Sequence, residues 1–383
     1  MSTIWTIIIA LIAFTGMIFV HELGHFMFAK LFKIQVNEFA LGMGPAIFKK
    51  KKGETVYSLR CIPFGGYCSM ESEDETSKSP RAFRNAAKWK RAVVLSAGAI
   101  FNIIFGFILF IIIVSNAKIV TVPVVDAYTD GSYIAESGIL PGDRIVALNG
   151  STVNIYQDFS FYMDRIDGTK PVDVTVQRGG ERLTFSVMPS KSEIIFKFNE
   201  NNVVMEEYVN DRLTETTVLS YDEITAADAK PGDVETISRY ILGFNAASKP
   251  NSFGATLRES FYRTIYNAKI VYISVYELIT GKMPINQAMG AIGIIDTMGT
   301  AARAGWLVLL MLIALLSVNL GIMNLLPIPA MDGGRLLFLL VEAIIRKPIP
   351  PDKEGIVHLI GFALLIVLMI LLAYNDIMRL LGA

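Results

Sequence analysis

Five consecutive residues carry the densest chemistry in this sequence: His21-Glu22-Leu23-Gly24-His25. On a helix, positions 21 and 25 lie on one face, one turn apart. Two imidazoles at that spacing can hold one zinc ion, and the neighbouring glutamate can take a proton from water that the metal activates. The chain has three histidines, and two of them are here. Zinc held by two histidines needs a third protein ligand. The candidate is Asp332, in Asn324-Leu325-Leu326-Pro327-Ile328-Pro329-Ala330-Met331-Asp332-Gly333-Gly334. Pro327 and Pro329 end a helix, because they remove backbone donors and clash with the preceding turn. Gly333 and Gly334 allow a tight backbone path. A carboxylate on a bent loop is expected. The plain alternative for Asp332 is a capping or interfacial carboxylate, and the histidine pair favours the ligand.

The elements that must position these groups are apolar. The 383 residues are 52% hydrophobic and 18% charged, with a mean hydropathy of +0.47; soluble domains carry about 25% charge. This composition excludes disorder as the main state and argues against an ordinary cytosolic enzyme. With 35 basic and 35 acidic residues, there is no global basic surface for nucleic acid. Cys61 and Cys68 are too few for a disulfide scaffold or a four-cysteine zinc site, and free thiols are expected. Four apolar blocks, beginning at Ile4, Ala92, Gly305 and Ile356 and ending at Val20, Val114, Met331 and Tyr374, each approach the roughly 20 residues that cross a bilayer. A secretory signal peptide is the alternative for the first block, but it lacks a basic n-region and runs into His21. His21 lies 17 residues after Ile4, roughly 25 Å down a helix, so the motif falls inside or near the edge of the hydrocarbon core, where ionisable groups need a reason.

Basic residues set the expected orientation. They crowd residues 30–91 and recur at Arg346, Lys347 and Lys353. Both stretches are expected to be cytoplasmic, with the N-terminus, residues 115–303 and the C-terminus outside. The expected fold class is a polytopic α-helical membrane protein. It comprises a first span with the histidine motif (1–30), a cytoplasmic loop (31–91), a second span (92–115), a β-rich segment (116–190), a segment without an assigned fold (191–256), an amphipathic and linker segment (257–304), a third span with the Asp-Gly loop and a following helix (305–346), and a fourth span (347–383). In the loop, Val36 to Arg60 reads as a membrane-associated β-hairpin with a turn rich in lysine, Lys49 to Lys52, which enforces topology or meets anionic lipid headgroups. Ile119 to Val125, Pro171 to Gln177 and Glu181 to Val187 read as strands, the last two joined by Arg178-Gly179-Gly180. Leu257 to Thr280 reads as a helix, either interfacial or simply packed. Residues 190–256 are acidic, with Glu206, Glu207, Asp211, Asp222, Glu223, Asp228, Asp233 and Glu235.

Two resemblances follow. The stretch Ser137-Gly138-Ile139-Leu140-Pro141-Gly142-Asp143-Arg144-Ile145, ending in Asn149-Gly150, resembles PDZ domains over about residues 119–189. That implies peptide docking or steric filtering, against the alternative of a plain spacer. The chain as a whole resembles the site-2 protease family of intramembrane zinc metalloproteases, in its bacterial RseP-type branch with a single PDZ-like domain. HELGH in the first span and the Asn324 to Gly334 stretch carry the likeness. Gly98-Ala99-Ile100-Phe101-Asn102, Ile62-Pro63-Phe64-Gly65-Gly66-Tyr67 and Gly290-Ala291-Ile292-Gly293-Ile294 add to it. Departures are the single PDZ-like domain, Ala291 in place of a proline, and Met331 in place of a leucine.

The resemblance implies a bacterial cell-membrane enzyme in which His21, His25 and Asp332 bind Zn2+ and Glu22 is the general base. Asn102 and Asn324 would contact the substrate backbone, with interhelical hydrogen bonds as the alternative for each. It implies single-pass membrane proteins as substrates, such as anti-sigma factors or signal-peptide remnants, with membrane lipid as surroundings and no nucleic acid. His358 matches no motif and reads as interfacial, not as a ligand. A membrane metal-binding or transport protein, or a PDZ-type peptide-binding scaffold, is the alternative class.

Overall fold

The computed structural model describes residues 3–71, 79–221, 230–284 and 288–380; Lys78, Asp222, Glu223 and Asp228 lie outside the described residues. The chain divides into two compact units, residues 1–116 with 263–383, and residues 117–262.

The first unit opens with α1 (Thr3–Leu31), which continues past the histidine motif without a break. Next come β1 (Val36–Lys52) and β2 (Thr55–Met70). These are not a simple hairpin. Gly42 and Gly44, at φ +84° and +81°, bend β1, and Gly65, at +89°, bends β2. Four short arms result, in the order 46–52, 55–60, 38–41 and 66–70. Phe39 has Tyr57 on one side and Cys68 on the other. The expected hairpin over residues 36–60 is therefore corrected in two ways. The four lysines lie in β1, and the turn is Gly53-Glu54, with Lys52 opposite Thr55. Ile62 to Tyr67 is part of the sheet rather than a stretch after it. Glu54 is gripped by both Arg81 Nη atoms, at 2.6 and 2.8 Å, and by Lys30 at 2.6 Å, which hold its carboxyl down to about 2. Cys61 and Cys68 are free thiols.

α2 (Lys88–Ser115) follows and leads into the second unit. There come β3 (Ile119–Tyr128), β4 (Arg144–Leu148), β5 (Ser151–Thr152), α3 (Tyr156–Met163), β6 (Val172–Arg178) and β7 (Glu181–Val187); β3, β6 and β7 are the three strands read from the sequence. Two-residue turns at Asn149-Gly150 and Gly179-Gly180, all four residues at positive φ, close β4–β5 and β6–β7. The segment without an expected fold is a second sheet of β8 (Ser190–Phe198), β9 (Val203–Val209), β10 (Arg212–Leu219) and β11 (Val234–Ile241), in the order β10-β9-β8-β11. The chain then returns. β12 (Phe244–Pro250) pairs with β3, giving the order β12-β3-β4-β6-β7. The first sheet thus needs a strand from well beyond residue 190, and the boundary expected there falls within one folded unit. Its core gathers Val125, Ile139, Ile145, Val174 and Leu242.

The return to the first unit is made by α4 (Phe253–Ile279), followed by α5 (Ala291–Ala304), α6 (Trp306–Leu325), α7 (Asp332–Ile345) and α8 (Pro351–Leu380). Val271 of α4 joins one buried apolar cluster with Phe110 of α2 and Val318 of α6. α1, α2, α6 and α8 are each long and apolar enough to cross a membrane. Small residues let α2 and α6 touch: a Cβ on Gly321 would stand 2.7 Å from the Ala99 carbonyl oxygen. At the start of α2, Arg91 forms a buried 3.0 Å ion pair with Glu342 of α7; in the turn just before α2, Arg84 pairs with Glu354 of α8 at 2.5 Å. Asp376 of α8 is buried and accepts the Gly290 and Gly293 N–H groups at 3.1 and 2.8 Å, capping α5.

Asp143 is the polar keystone of the second unit. Its carboxylate accepts the Leu140 N–H and two Arg178 N–H bonds, at 2.8, 2.7 and 2.6 Å. Arg178 holds this carboxyl below the usual carboxylate range. The stabilisation is therefore present at neutral pH and is lost as pH falls through the folded-state value. Asp143→Ala should cost about 2 kcal/mol, less than a fully buried pair because Arg178 is 34% exposed. Faster hydrogen exchange across β4 and β6 in the full-length variant would register it.

Candidate metal centre

Three donor atoms converge where α1 meets the start of α7. His21 Nε2 and His25 Nε2 face each other at 3.1 Å. Asp332 Oδ2 lies 3.0 Å from the first and 3.2 Å from the second. Donors at about 2.0–2.2 Å from a tetrahedral zinc stand roughly 3.3 Å apart, so all three separations fit one ion at their centre. Asp332 Oδ2 is buried, and no hydrogen bond reaches it despite two nitrogens at contact distance. Acceptor lone pairs aimed at one point repel each other, and a cation among them removes that conflict. This is the one group of its kind among the described residues.

Neighbouring backbone sets the ligand geometry. His25 Nδ1–H donates to the Val94 carbonyl at 2.8 Å, which leaves Nε2 free for a metal. The Asn102 amide stands 3.3 Å from His21 Nδ1. With its oxygen turned toward the ring, it accepts the Nδ1–H, the bond that a metal on Nε2 calls for, and satisfies an Oδ1 otherwise left without a partner. Asn102 is wholly buried, so its place is behind His21. Asn324 is not drawn to the cluster; its Nδ2 donates to Leu320 at 2.9 Å on its own helix.

Two glycines make room. A Cβ on Gly24 would stand 2.5 Å from the Ala97 carbonyl oxygen, so α1 and α2 cross backbone to backbone. A Cβ on Gly98 would collide with His25 Nε2 and stand 2.8 Å from His21 Cε1. Asp332 begins α7 rather than sitting on a loop. Ala330, at φ +75°, turns the chain into it, and a Cβ on Gly333 would strike the Leu326 carbonyl oxygen.

The cluster opens on a cavity of about 570 Å³ that Glu22 also lines. Glu22 accepts the Cys68 N–H from the outermost arm of the β1–β2 sheet. His358 lines the same cavity. Its Nδ1 accepts the Ala330 N–H at 2.8 Å, two residues before Asp332. His358 is not among the converging donors, and it holds the strained turn that delivers one of them. A lone histidine has no spacing partner in the sequence, and nothing there points to this bond.

Residues 9–368 match Peptidase family M50. The chain belongs to that family. It is similar to a protein of Clostridium acetobutylicum named as a candidate zinc metalloprotease, 34% identical over 375 residues and covering 97% of each chain. The regulator of sigma-W protease RasP of Bacillus subtilis is 28% identical over 457 residues, covering 98% of this chain and 99% of that one. The zinc metalloprotease RasP of Geobacillus kaustophilus is 27% identical over 458 residues, covering 99% of each. This M50 chain is accordingly a site-2 type zinc metalloprotease of the multi-pass, inner-membrane kind.

Gly98→Ala, which presses a methyl on both imidazoles, and Asn102→Ala, which frees His21, should each lower zinc affinity about 10- to 100-fold, read by competition with a chelating dye. His358→Ala should speed zinc loss about tenfold. His358→Asn, whose Oδ1 can accept the same N–H, should stay near wild type; equal loss in both variants would remove the Ala330 bond from the account.

Proposed function

We propose that this M50 chain cuts transmembrane segments of single-pass membrane proteins, with His21, His25 and Asp332 as zinc ligands and Glu22 as general base. The observation that carries this is the meeting of Asp332 with two histidines some 300 positions earlier in the chain, 307 from His25 (332 minus 25). The chemistry zinc supplies in such a site is Lewis acidity, which makes water a nucleophile at neutral pH and polarises a peptide carbonyl. Glu22, at the cavity wall, takes the proton from the attacking water and passes it to the leaving amide nitrogen. A transport path would need ligands at several depths, and among the described residues they gather at one.

A substrate helix must unwind before its amide is exposed to attack, and its freed backbone groups need partners in a dry site. The 66–70 arm is the outermost strand of its sheet and borders Glu22. We read it as the edge on which the unwound segment pairs as an added strand. Asn324, half-buried near the Pro327 break, keeps its Oδ1 for the same task. The lysine-bearing loop is taken as cytoplasmic, and the N-terminus, C-terminus and inserted unit as outside, following the basic residues. Segments of anti-sigma factors are the substrate class suggested by the name of the Bacillus subtilis relative; signal-peptide remnants are the other class.

Glu22→Gln should keep zinc and lose cleavage of a transmembrane reporter by about 10²- to 10⁴-fold, while Asp332→Ala should lose both. Reconstituted cleavage with zinc content measured on the same samples tests this. Wild-type turnover by Glu22→Gln, or full zinc in Asp332→Ala, defeats the assignment.

A further inference from the structure

The second sheet of the inserted unit ends on an uncovered strand. Its order is β10-β9-β8-β11, so β11 has β8 on one side and no strand on the other among the described residues. β11 pairs with β8 over its whole length, from Val234 with Lys197 to Ile241 with Ser190, without a register shift. Every second residue of such a strand turns its N–H and C=O groups away from its partner. Natural proteins blunt edges of this kind with proline, lysine, a bulge or a covering loop. Val234-Glu235-Thr236-Ile237-Ser238-Arg239-Tyr240-Ile241 has no proline and no lysine, and every residue before Ile241 is exposed. Ile237, near the middle, is 52% exposed.

The order of the side chains says what fits there. Charge appears twice, as Glu235 and Arg239, placed symmetrically about Ile237. Neither is held by an ion pair or a side-chain hydrogen bond among the described residues. Two strands that pair antiparallel about a two-fold axis normal to their sheet keep each residue on its own face, so the axis passes through a residue position. With the axis at Ile237, that residue faces its own counterpart, Thr236 faces Ser238, and Val234 faces Tyr240. Each Glu235 faces the Arg239 of the other copy. Two opposite-charge pairs then lie on one face with the isoleucine pair between them, and opposite charges placed so attract. An axis at Glu235 or at Arg239 sets like charges opposite each other instead. Ile194 of β8 lies beside Ile237, so the pairing also carries an apolar run across four adjacent strands.

We propose that β11 is a contact between two copies of this chain, paired antiparallel about Ile237, which joins two four-stranded sheets into one of eight strands. The occupant is a second copy because the edge is complementary to itself. A pair of eight-residue strands is smaller than a permanent interface, so the dimer forms at the high local concentration of a membrane and loosens on dilution. The inference does not rest on the protease reading; it adds that two metal centres share one assembly.

The test uses the full-length chain in the membranes of the cells that express it, under mild oxidation. Ile237→Cys brings two thiols to the axis, with Cα atoms about 4.5–5.5 Å apart and inside disulfide range, and should give a disulfide-linked dimer. Val234→Cys lies roughly 20 Å from its counterpart, at about 3.4 Å per residue, and should give no more than the parent chain with its own Cys61 and Cys68. Within Ile237→Cys, adding Arg239→Glu sets glutamates opposite each other and should lower the crosslinked fraction about tenfold. Adding Glu235→Arg as well reverses both charges, keeps them complementary, and should restore it. No dimer through Ile237→Cys, equal crosslinking through Val234→Cys, or indifference to Arg239→Glu overturns the proposal. So does a double reversal that fails to restore the dimer. An Ile237→Cys adduct formed only with another protein gives the edge to a different occupant and overturns it too.

Discussion

The first unit depends on how closely α1 and α2 approach. Gly24 meets the Ala97 carbonyl, and Gly98 clears the space that the two imidazoles fill. Any side chain at either position parts the helices by about the width of a methyl group, and a metal site tolerates far less than that. From this crossing the remaining contacts follow along α2. Val94 orients His25, and Asn102 backs His21. Ser317 of α6 donates to the Asn102 carbonyl at 2.8 Å, so the helix that leads to Asp332 is tied to the helix that supports the histidines.

Charge supplies the second set of ties. Arg91 and Glu342 are both buried, and the pair leans on Glu342: its carboxylate also accepts the Ile349 N–H at 3.0 Å, and its carbonyl accepts from Lys88 at 2.6 Å. Glu342 and Asp332 sit on one helix, ten residues apart, so this pair fixes the far end of the element whose first residue enters the metal cluster. Arg84 with Glu354 does the same for α8, one turn before His358. The centre is thus framed by α2 on one side and by α7 and α8 on the other, α7 anchored to the start of α2 and α8 to the turn just before it.

What could be read from the residue order was chemistry with short spacing. HELGH needs only one helical turn to bring its imidazoles together, and Asp332 was legible because the flanking prolines and glycines mark a break in an apolar block. The strand pair across Gly179-Gly180 was legible for the same local reason. Longer-range relations were not. The four lysines looked like a turn because charge clusters at turns, yet the glycine that reverses the chain is Gly53, one residue beyond them. The folding back of β1 and β2 depends on three glycines whose positive φ has no signature in hydropathy. Asn102 carries no mark that separates a residue behind a ligand from one facing a substrate. Ala330 has an ordinary side chain, and its left-handed backbone emerges only when His358 is seen to hold it.

The pairing of β3 with β12 bears on how the chain is made. Ile119 finds its partner at Pro250, with an entire four-stranded sheet synthesised in between. Closure of so long a loop carries an entropic cost that grows with its length and slows nucleation. During synthesis β3 therefore waits with an open edge until residue 250 has emerged, and an open edge is where strands of separate chains join by mistake. The intervening sheet can assemble first from neighbouring strands, since β8, β9 and β10 follow one another directly. A fragment ending near residue 190 would keep that waiting edge permanently, and would be prone to self-association, where the complete unit covers the edge of β3 with β12.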